Sequence, residues 1–265
     1  MTRRAWTWNA RTRNVRAELE ASQVPGRTAA YAESEVADLP DPVRRYFRNV
    51  LRNGQPMIRT ARLTQQGEFL VKEQPAKWGA FSASHLAAVN PPSFDWDARI
   101  AWAPGMKVFV RDAYVAGTGL LHAAAFGVLT LTKQRDTPEL AEGELMRYLA
   151  ETPWYPTALL PGHGVSWTAI DDASARAALT DGATTVSLDF TFDDDGLITR
   201  VWSSARYRDV NGSPTPMPWQ GRFERYEVHS RIRIPAMAEV AWVGPGGAMP
   251  YWRGTVTSVT YDFER

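Results

Sequence analysis

The feature that most constrains this chain is a strict two-residue alternation at 186–193. Val186, Leu188, Phe190 and Phe192 fall on one side, and Ser187, Asp189, Thr191 and Asp193 on the other. Successive side chains of a strand point to opposite faces, so this pattern predicts a half-buried β-strand. Asp195-Gly196 then supplies a turn that tolerates positive φ, and 197–207 returns as the partner strand. Asp181-Gly182 joins 173–180 to 184–193 in the same way. Strand-like segments recur at 58–71, 77–88, 94–100, 106–115, 165–170, 221–234, 236–243 and 252–263, giving about eleven strands. Short polar or Gly/Pro turns join most of them, which favours one antiparallel sheet.

A sheet of that width curls or closes, because a long flat one leaves exposed edges. Several strands are apolar on both faces: Met106, Val108 and Val110 alternate with Phe109, Ala113 and Val115. The inner face therefore needs an apolar cover. Residues 119–132 are apolar almost all round and read as a buried helix. Thr137-Pro138-Glu139 then looks like an N-cap, a first-turn proline and a first-turn acid, opening a helix that ends before Pro153. Upstream, Val43, Tyr46, Phe47, Val50 and Leu51 recur at three- and four-residue spacing as the apolar stripe of another helix. The expected fold class is α+β, mainly antiparallel β. It is a strongly curved half-barrel of about eleven strands around one or two inserted helices, preceded by an N-terminal helical leader. Residues 1–35 form the basic leader and 36–265 a single half-barrel domain. Space the helices leave unfilled becomes a hydrophobic cavity.

Composition narrows the function classes. With 30 Lys+Arg against 29 Asp+Glu, the net charge of +1 makes no electrostatic case for a nucleic-acid partner. The absence of cysteine excludes disulfides, thiolate metal sites and a Cys nucleophile, and suits a cytoplasmic location. The longest apolar stretch, 119–131, falls short of the roughly 20 residues a membrane span needs. Arg3, Arg4, Arg11, Arg13 and Arg16 all precede the first acid, Glu18, and no apolar signal core follows them. With Trp6 and Trp8 among the arginines, the leader is either a solvated or loosely docked helix or a peripheral membrane contact.

Four groups of residues could carry chemistry. Glu144, Arg147, Tyr148 and Glu151 sit at i, i+3, i+4 and i+7 of the predicted helix, hence on one face. Two carboxylates flanking an Arg and a Tyr could exchange protons, one Glu held neutral while Arg147 keeps the other ionised. The same face could simply pin the helix across the sheet. His122 lies inside the apolar run, where a carboxylate such as Glu144 would raise its pKa; it is equally readable as a satisfied core histidine. Asp95, Asp97 and Arg99 alternate along one face of a strand, and Arg111 and Asp112 on the next strand face opposite ways. Cross-strand pairing or an anion-holding Arg99 or Arg111 both fit. Trp154, Tyr155, Trp219, Trp242, Tyr251 and Trp252 cluster in the second half beside Pro or Gly, suited to line a barrel mouth or to plug it. The four histidines are scattered and no GxSxG elbow is present, so neither a metal nor a cofactor is expected.

Six segments carry a family resemblance: LPDPVRRYF at 39–47, FDWDARI at 94–100, VRDAYVAGTG at 110–119, GELMRYLAETPWYPTALLP at 143–161, PWQGRFERYE at 218–227 and PYWRGTV at 250–256. Together they resemble a family of uncharacterised bacterial proteins, a domain of unknown function, over roughly residues 36 to 264. More distantly, the strand count with inserted helices is similar to the half-barrel carriers of bacterial lipoproteins and lipids. That similarity implies an open antiparallel sheet with helices over its concave face, and fold alone does not assign function. The leading expectation is binding or carriage of a hydrophobic small molecule or lipid in the half-barrel. The alternative is a cofactor-independent enzyme, a hydrolase, isomerase or cyclase, using the Glu/Arg/Tyr helix face.

Overall fold

A computed structural model describes residues 7–25, 30–210 and 212–264. Thirteen strands form one antiparallel sheet: β1 Ile58–Lys72, β2 Lys77–Ala88, β3 Ser93–Ala103, β4 Met106–Val115, β5 Thr118–Ala125, β6 Leu129–Arg135, β7 Val165–Asp171, β8 Ser174–Asp181, β9 Thr184–Phe192, β10 Ile198–Val210, β11 Ser213–His229, β12 Ile232–Gly244 and β13 Gly247–Phe263. The order across the sheet is β6-β5-β4-β3-β2-β1-β13-β12-β11-β10-β9-β8-β7, so only the β1–β13 pairing departs from sequence neighbours. Nine inter-strand steps separate β4 from β8, on the order of 40 Å in a flat sheet. Yet Tyr114 of β4 donates its hydroxyl hydrogen to Asp181 of β8 over 2.8 Å. The sheet must curl round on itself to bring them together, while among the described residues β6 and β7 stand at its two ends.

Among the described residues three α-helices complete the fold: α1 Trp8–Ala21, α2 Asp41–Val50 and α3 Pro138–Glu151. As the sequence predicts, Thr137 caps α3, its hydroxyl accepting from the Leu140 amide, and Pro138 occupies the first turn. Leu145 and Leu149 are buried on the concave side, followed by the 3-10 turns Thr152–Trp154 and Pro156–Leu159, whose residues are buried too. The α2 stripe of Val43, Tyr46, Phe47 and Val50 is likewise buried, with Tyr46 packed on Phe192. No helix among the described residues is long and apolar enough to cross a membrane.

The helix expected at 119–132 is instead the β5–β6 hairpin, which accounts for the two strands beyond eleven. Both faces of β5 are covered, so its apolar run carries no alternation that would separate strand from buried helix. Register places Leu121 beside Asp112 on the concave side and His122 beside Arg111 on the convex side. Gly119 is a site of close approach: a Cβ there would stand 2.8 Å from the Leu140 backbone of α3.

The described part of the leader is not a solvated helix. Residues 1–6, with Arg3, Arg4 and Trp6, lie outside the described residues, but α1 is docked on the convex face of β2–β4. Trp8 Nε1 donates to Asp97 over 2.7 Å, Arg16 Nε to Asp95 over 2.7 Å, and Leu19 packs with Leu86, Ala88 and Val115. Arg111 completes the layer, donating to the second Asp95 oxygen over 2.8 Å. Two acids on a covered sheet face require cationic partners, and α1 brings one of them. Replacing Asp95 by Ala would strand Arg111, which is 1% exposed, without its main partner. The expected cost is about 3–5 kcal/mol. Urea denaturation checks this, and a loss under 1 kcal/mol would contradict the layer's role.

Candidate functional site

Between α3 and the concave face lies a cavity of about 190 Å³. Its apolar wall comes from the sheet and the turn after α3, with Phe69, Trp96, Trp154, Trp219, Phe223 and Trp252 in its lining. Its polar part comes from Glu144, Arg147 and Glu151 of α3, Asp112 of β4 and Arg206 of β10. The helical spacing thus delivers three of its four predicted side chains to one place. Arg147 Nε donates to Glu151 over 2.8 Å while its Nη1 donates to Asp112, tying the helix to β4. The same guanidinium lies 5.0 Å from the ring centres of both Phe94 and Trp96. Arg206 donates to the Gly143 carbonyl over 3.1 Å and to the Tyr251 hydroxyl over 3.3 Å, and it stands over the Trp219 ring.

Burial dominates the electrostatics. It pushes the Glu144 carboxyl up to about 8, and the neighbouring Asp112 charge pushes the same way. Burial also raises Asp112 and Glu151, although Arg147 pulls both down. For Arg147 burial opposes the charge, yet Glu151, Asp112 and Glu144 outweigh it and hold its pKa above the ordinary value. At neutral pH Glu144 is therefore a neutral acid beside a charged guanidinium. Among the described residues no hydrogen-bond partner reaches Glu144 Oε2, Asp112 Oδ1 or Arg206 Nε, although all three atoms are buried. Such groups are costly to leave unpaired and can meet a polar group brought by a ligand.

The other sequence candidates divide by location. Trp154, Trp219, Tyr251 and Trp252 line the cavity, and Trp242 stacks on Tyr251 at a centroid distance of 5.8 Å. Tyr148 and Tyr155 pack on each other in the core outside the lining, Tyr155 donating to the Tyr148 carbonyl over 3.0 Å. Arg99, Arg111 and His122 lie on the convex face under α1, separated from the cavity by the sheet. His122 stacks on Trp8, and burial, then Arg11, Lys133 and Arg111, bring its pKa down to about 4. It is neutral at pH 7 and has no route to Glu144.

Arg206, Phe69 and His85 are not singled out as site residues by sequence, and Asp112 enters there only beside Arg111 on the next strand. The His85 ring stacks on Phe94, with Nε2 3.6 Å from Glu151 Oε2. Burial, reinforced by Arg147 and Arg16, depresses its pKa far below the ordinary value, so this contact is not an ion pair. Register sets His85 and Asp112 in one row: His85 stands opposite Trp96, Trp96 opposite Asp112, and Asp112 opposite Leu121. No local motif encodes that row. Among the described residues no group of three or more His, Asp or Glu side chains is placed to hold a metal ion.

Residues 37–261 match a family described as a family of unknown function (DUF6920), a span that includes all six segments carrying the resemblance. No curated protein matches the chain. Among solved structures, a LolA superfamily protein from Nitrosomonas europaea matches with 11% identity and a TM-score of 0.38, over 83% of this chain and 91% of that one. A beta-barrel-like protein of a domain of unknown function (DUF1849) from Brucella abortus matches with 8% identity and a TM-score of 0.24, over 78% and 99% respectively.

The elevated Glu144 pKa sets a sign for pH dependence. Unfolded, the carboxyl titrates in the ordinary range, near 4.5; folded, near 8. Between those values the folded chain holds the extra proton, so stability is full below about 4.5 and falls as pH rises through 8. The slope reaches at most about 1.4 kcal/mol per pH unit from this one group. Glu144→Gln is expected to flatten that part of the profile and to stabilise the chain at pH 9 relative to the parent. Unfolding midpoints across the pH range measure it; parallel profiles for the two proteins would contradict the assignment.

Proposed function

We propose that this chain, which belongs to the family of unknown function DUF6920, binds a hydrophobic small molecule or one lipid chain in the cavity between α3 and the sheet. The observation carrying the proposal is the pairing of a tryptophan-rich wall with Glu144, a buried neutral acid whose Oε2 has no protein partner among the described residues. An apolar body would rest on Trp96, Trp219 and Trp252, and a hydrogen-bonding head would meet Glu144 and Arg206. Volume supports the size class. A dry engineered cavity of about 150 Å³ accepts benzene, so about 190 Å³ suits one ring or a short stretch of chain, with the remainder of a longer ligand outside. The aromatic side chains offer large apolar area with few rotatable bonds to immobilise.

Native mass spectrometry after gentle purification, followed by titration with decanol and decanoic acid, tests the reading. Retained or added ligand should appear as a stoichiometric adduct and change the tryptophan emission. Ala238 lines the cavity and is buried, so Ala238→Leu should occupy ligand space and weaken binding at least tenfold. Absence of any adduct or emission change would reject binding in this cavity.

A second reading, a cofactor-independent hydrolase, isomerase or cyclase, is favoured by the acid form of Glu144 beside Arg147 and Asp112. There Glu144 would act as general acid and Asp112 or Glu151 as base, with Arg147 holding developing negative charge. NMR of ligand recovered from the protein separates the two readings. Chemical change lost in Glu144→Gln, with binding retained, supports an enzyme; an unaltered ligand supports a carrier.

A further inference from the structure

The β5–β6 turn exposes apolar surface that the cavity does not use. Of the six residues from Phe126 to Leu131, four present large apolar side chains to solvent: Phe126 at 56%, Val128 at 82%, Leu129 at 67% and Leu131 at 54% exposure. The backbone of the turn is braced against its neighbours. Phe126 and Gly127 adopt positive φ of 53° and 70°. The Phe126 amide donates to the Lys107 carbonyl over 2.9 Å, and Gly127 sits so close to Phe109 and Trp8 that a Cβ would clash. With its backbone braced in this way, the turn presents these side chains to solvent. Exposed patches of this kind mark interaction sites.

Charge identifies the partner. Residues 113–135 contain Lys133 and Arg135 but no Asp or Glu, Arg135 being paired with the following Asp136 over 3.5 Å, and α1, whose first residue touches the turn, has no acid before Glu18. Lys107, whose carbonyl takes the Phe126 amide, is exposed beside the turn, and Lys133 of β6 and Arg13 of α1 are exposed as well. Pairing of two β6 edges from separate copies would set two cationic, acid-free strands side by side, which is unfavourable. A narrow apolar tip flanked by cations instead matches the interface of an anionic bilayer, where apolar side chains enter the headgroup region and lysines meet lipid phosphates. We propose that the β5–β6 turn, with the adjoining start of α1, docks this protein onto anionic phospholipid surfaces.

Co-sedimentation with phosphatidylcholine vesicles, with and without about a third phosphatidylglycerol, tests the proposal. Binding is expected only to the anionic vesicles and should weaken at least tenfold between about 0.1 M and 0.5 M salt. The double variant Val128→Ser, Leu129→Ser should lose at least tenfold in binding with an unchanged melting temperature, since both side chains are already in water. Because the chain contains no cysteine, Val128→Cys carrying an environment-sensitive fluorophore reports insertion directly. Its emission should shift to the blue on anionic vesicles, while the same label at Asp194→Cys should not shift. Equal binding by the double variant, no shift at position 128, or a dimer in analytical ultracentrifugation that the double variant dissolves would each overturn the proposal. Ala238→Leu should bind vesicles normally, so failure of the cavity reading and failure of the docking reading are distinguishable.

Discussion

The structure depends on one constraint: the central strands are buried on both faces, so the sheet is stable only with cover on each side. At β3 and β4 the two faces are one residue apart. Trp96 and Asp112 point to the concave side, whereas Asp95, Asp97 and Arg111 point to the convex side. A slip of one residue would exchange the sets, sending two aspartates towards α3 and an indole beneath α1. Both covers therefore help to fix register. The convex cover α1 supplies Arg16 and Trp8 to the aspartates, and the concave cover α3 supplies Arg147 to Asp112.

The two buried charge networks differ in how completely they close. On the convex face Asp95 and Asp97 meet Arg16, Arg99, Arg111, Thr12 and Trp8, and their oxygens are all engaged. That arrangement does what a structural network needs and offers no free group for chemistry. On the concave face the tie between helix and sheet is already made by Arg147 with Glu151 and Asp112. Glu144 is surplus to it. A protein that only needed to pin α3 could place an apolar residue at 144 and avoid a second buried acid near Asp112. The functional reading rests on this asymmetry more than on the presence of charges as such.

Much of the fold is legible in the sequence where faces differ in polarity. The alternation at 186–193, the Asp195-Gly196 turn and the Thr137-Pro138 helix start all carry local physical signals, and each element forms as expected. The segment 119–132 is misread because Leu120, Leu121, Ala123 and Ala124 are covered from both sides, which erases the period that distinguishes strand from helix. The alternating Thr130, Leu131 and Thr132 and the Gly127 turn were the available strand signals. The site was half legible for a related reason. Glu144, Arg147 and Glu151 share one helix, so their spacing alone unites them. Asp112, His85 and Arg206 come from separate strands and meet only through register and curvature, which no window of sequence contains. Tyr148 and His122 show the converse, since chemical suitability and nearness in sequence do not determine which layer a side chain enters.

The cavity wall on the sheet combines small residues, Gly221 and Ala238 in its lining, with large neighbours. Gly67 pairs with Gly254, and Gly254 with Ala238, in one row across β1, β13 and β12. The Trp252 ring lies over the bare backbone of Gly254, where a Cβ would stand 2.3 Å from the indole. In the adjacent row Phe69 pairs with Trp252, and Trp252 with Val240. Large side chains thus lean into space left by the missing ones, and what they leave over is the hollow. The sheet therefore sets its width, while α3 and Arg206 set the polarity at its head. Size selectivity and head-group selectivity reside on different elements, so a substitution at Gly254 or Ala238 changes the first and a substitution at Glu144 changes the second, with the register of the sheet common to both.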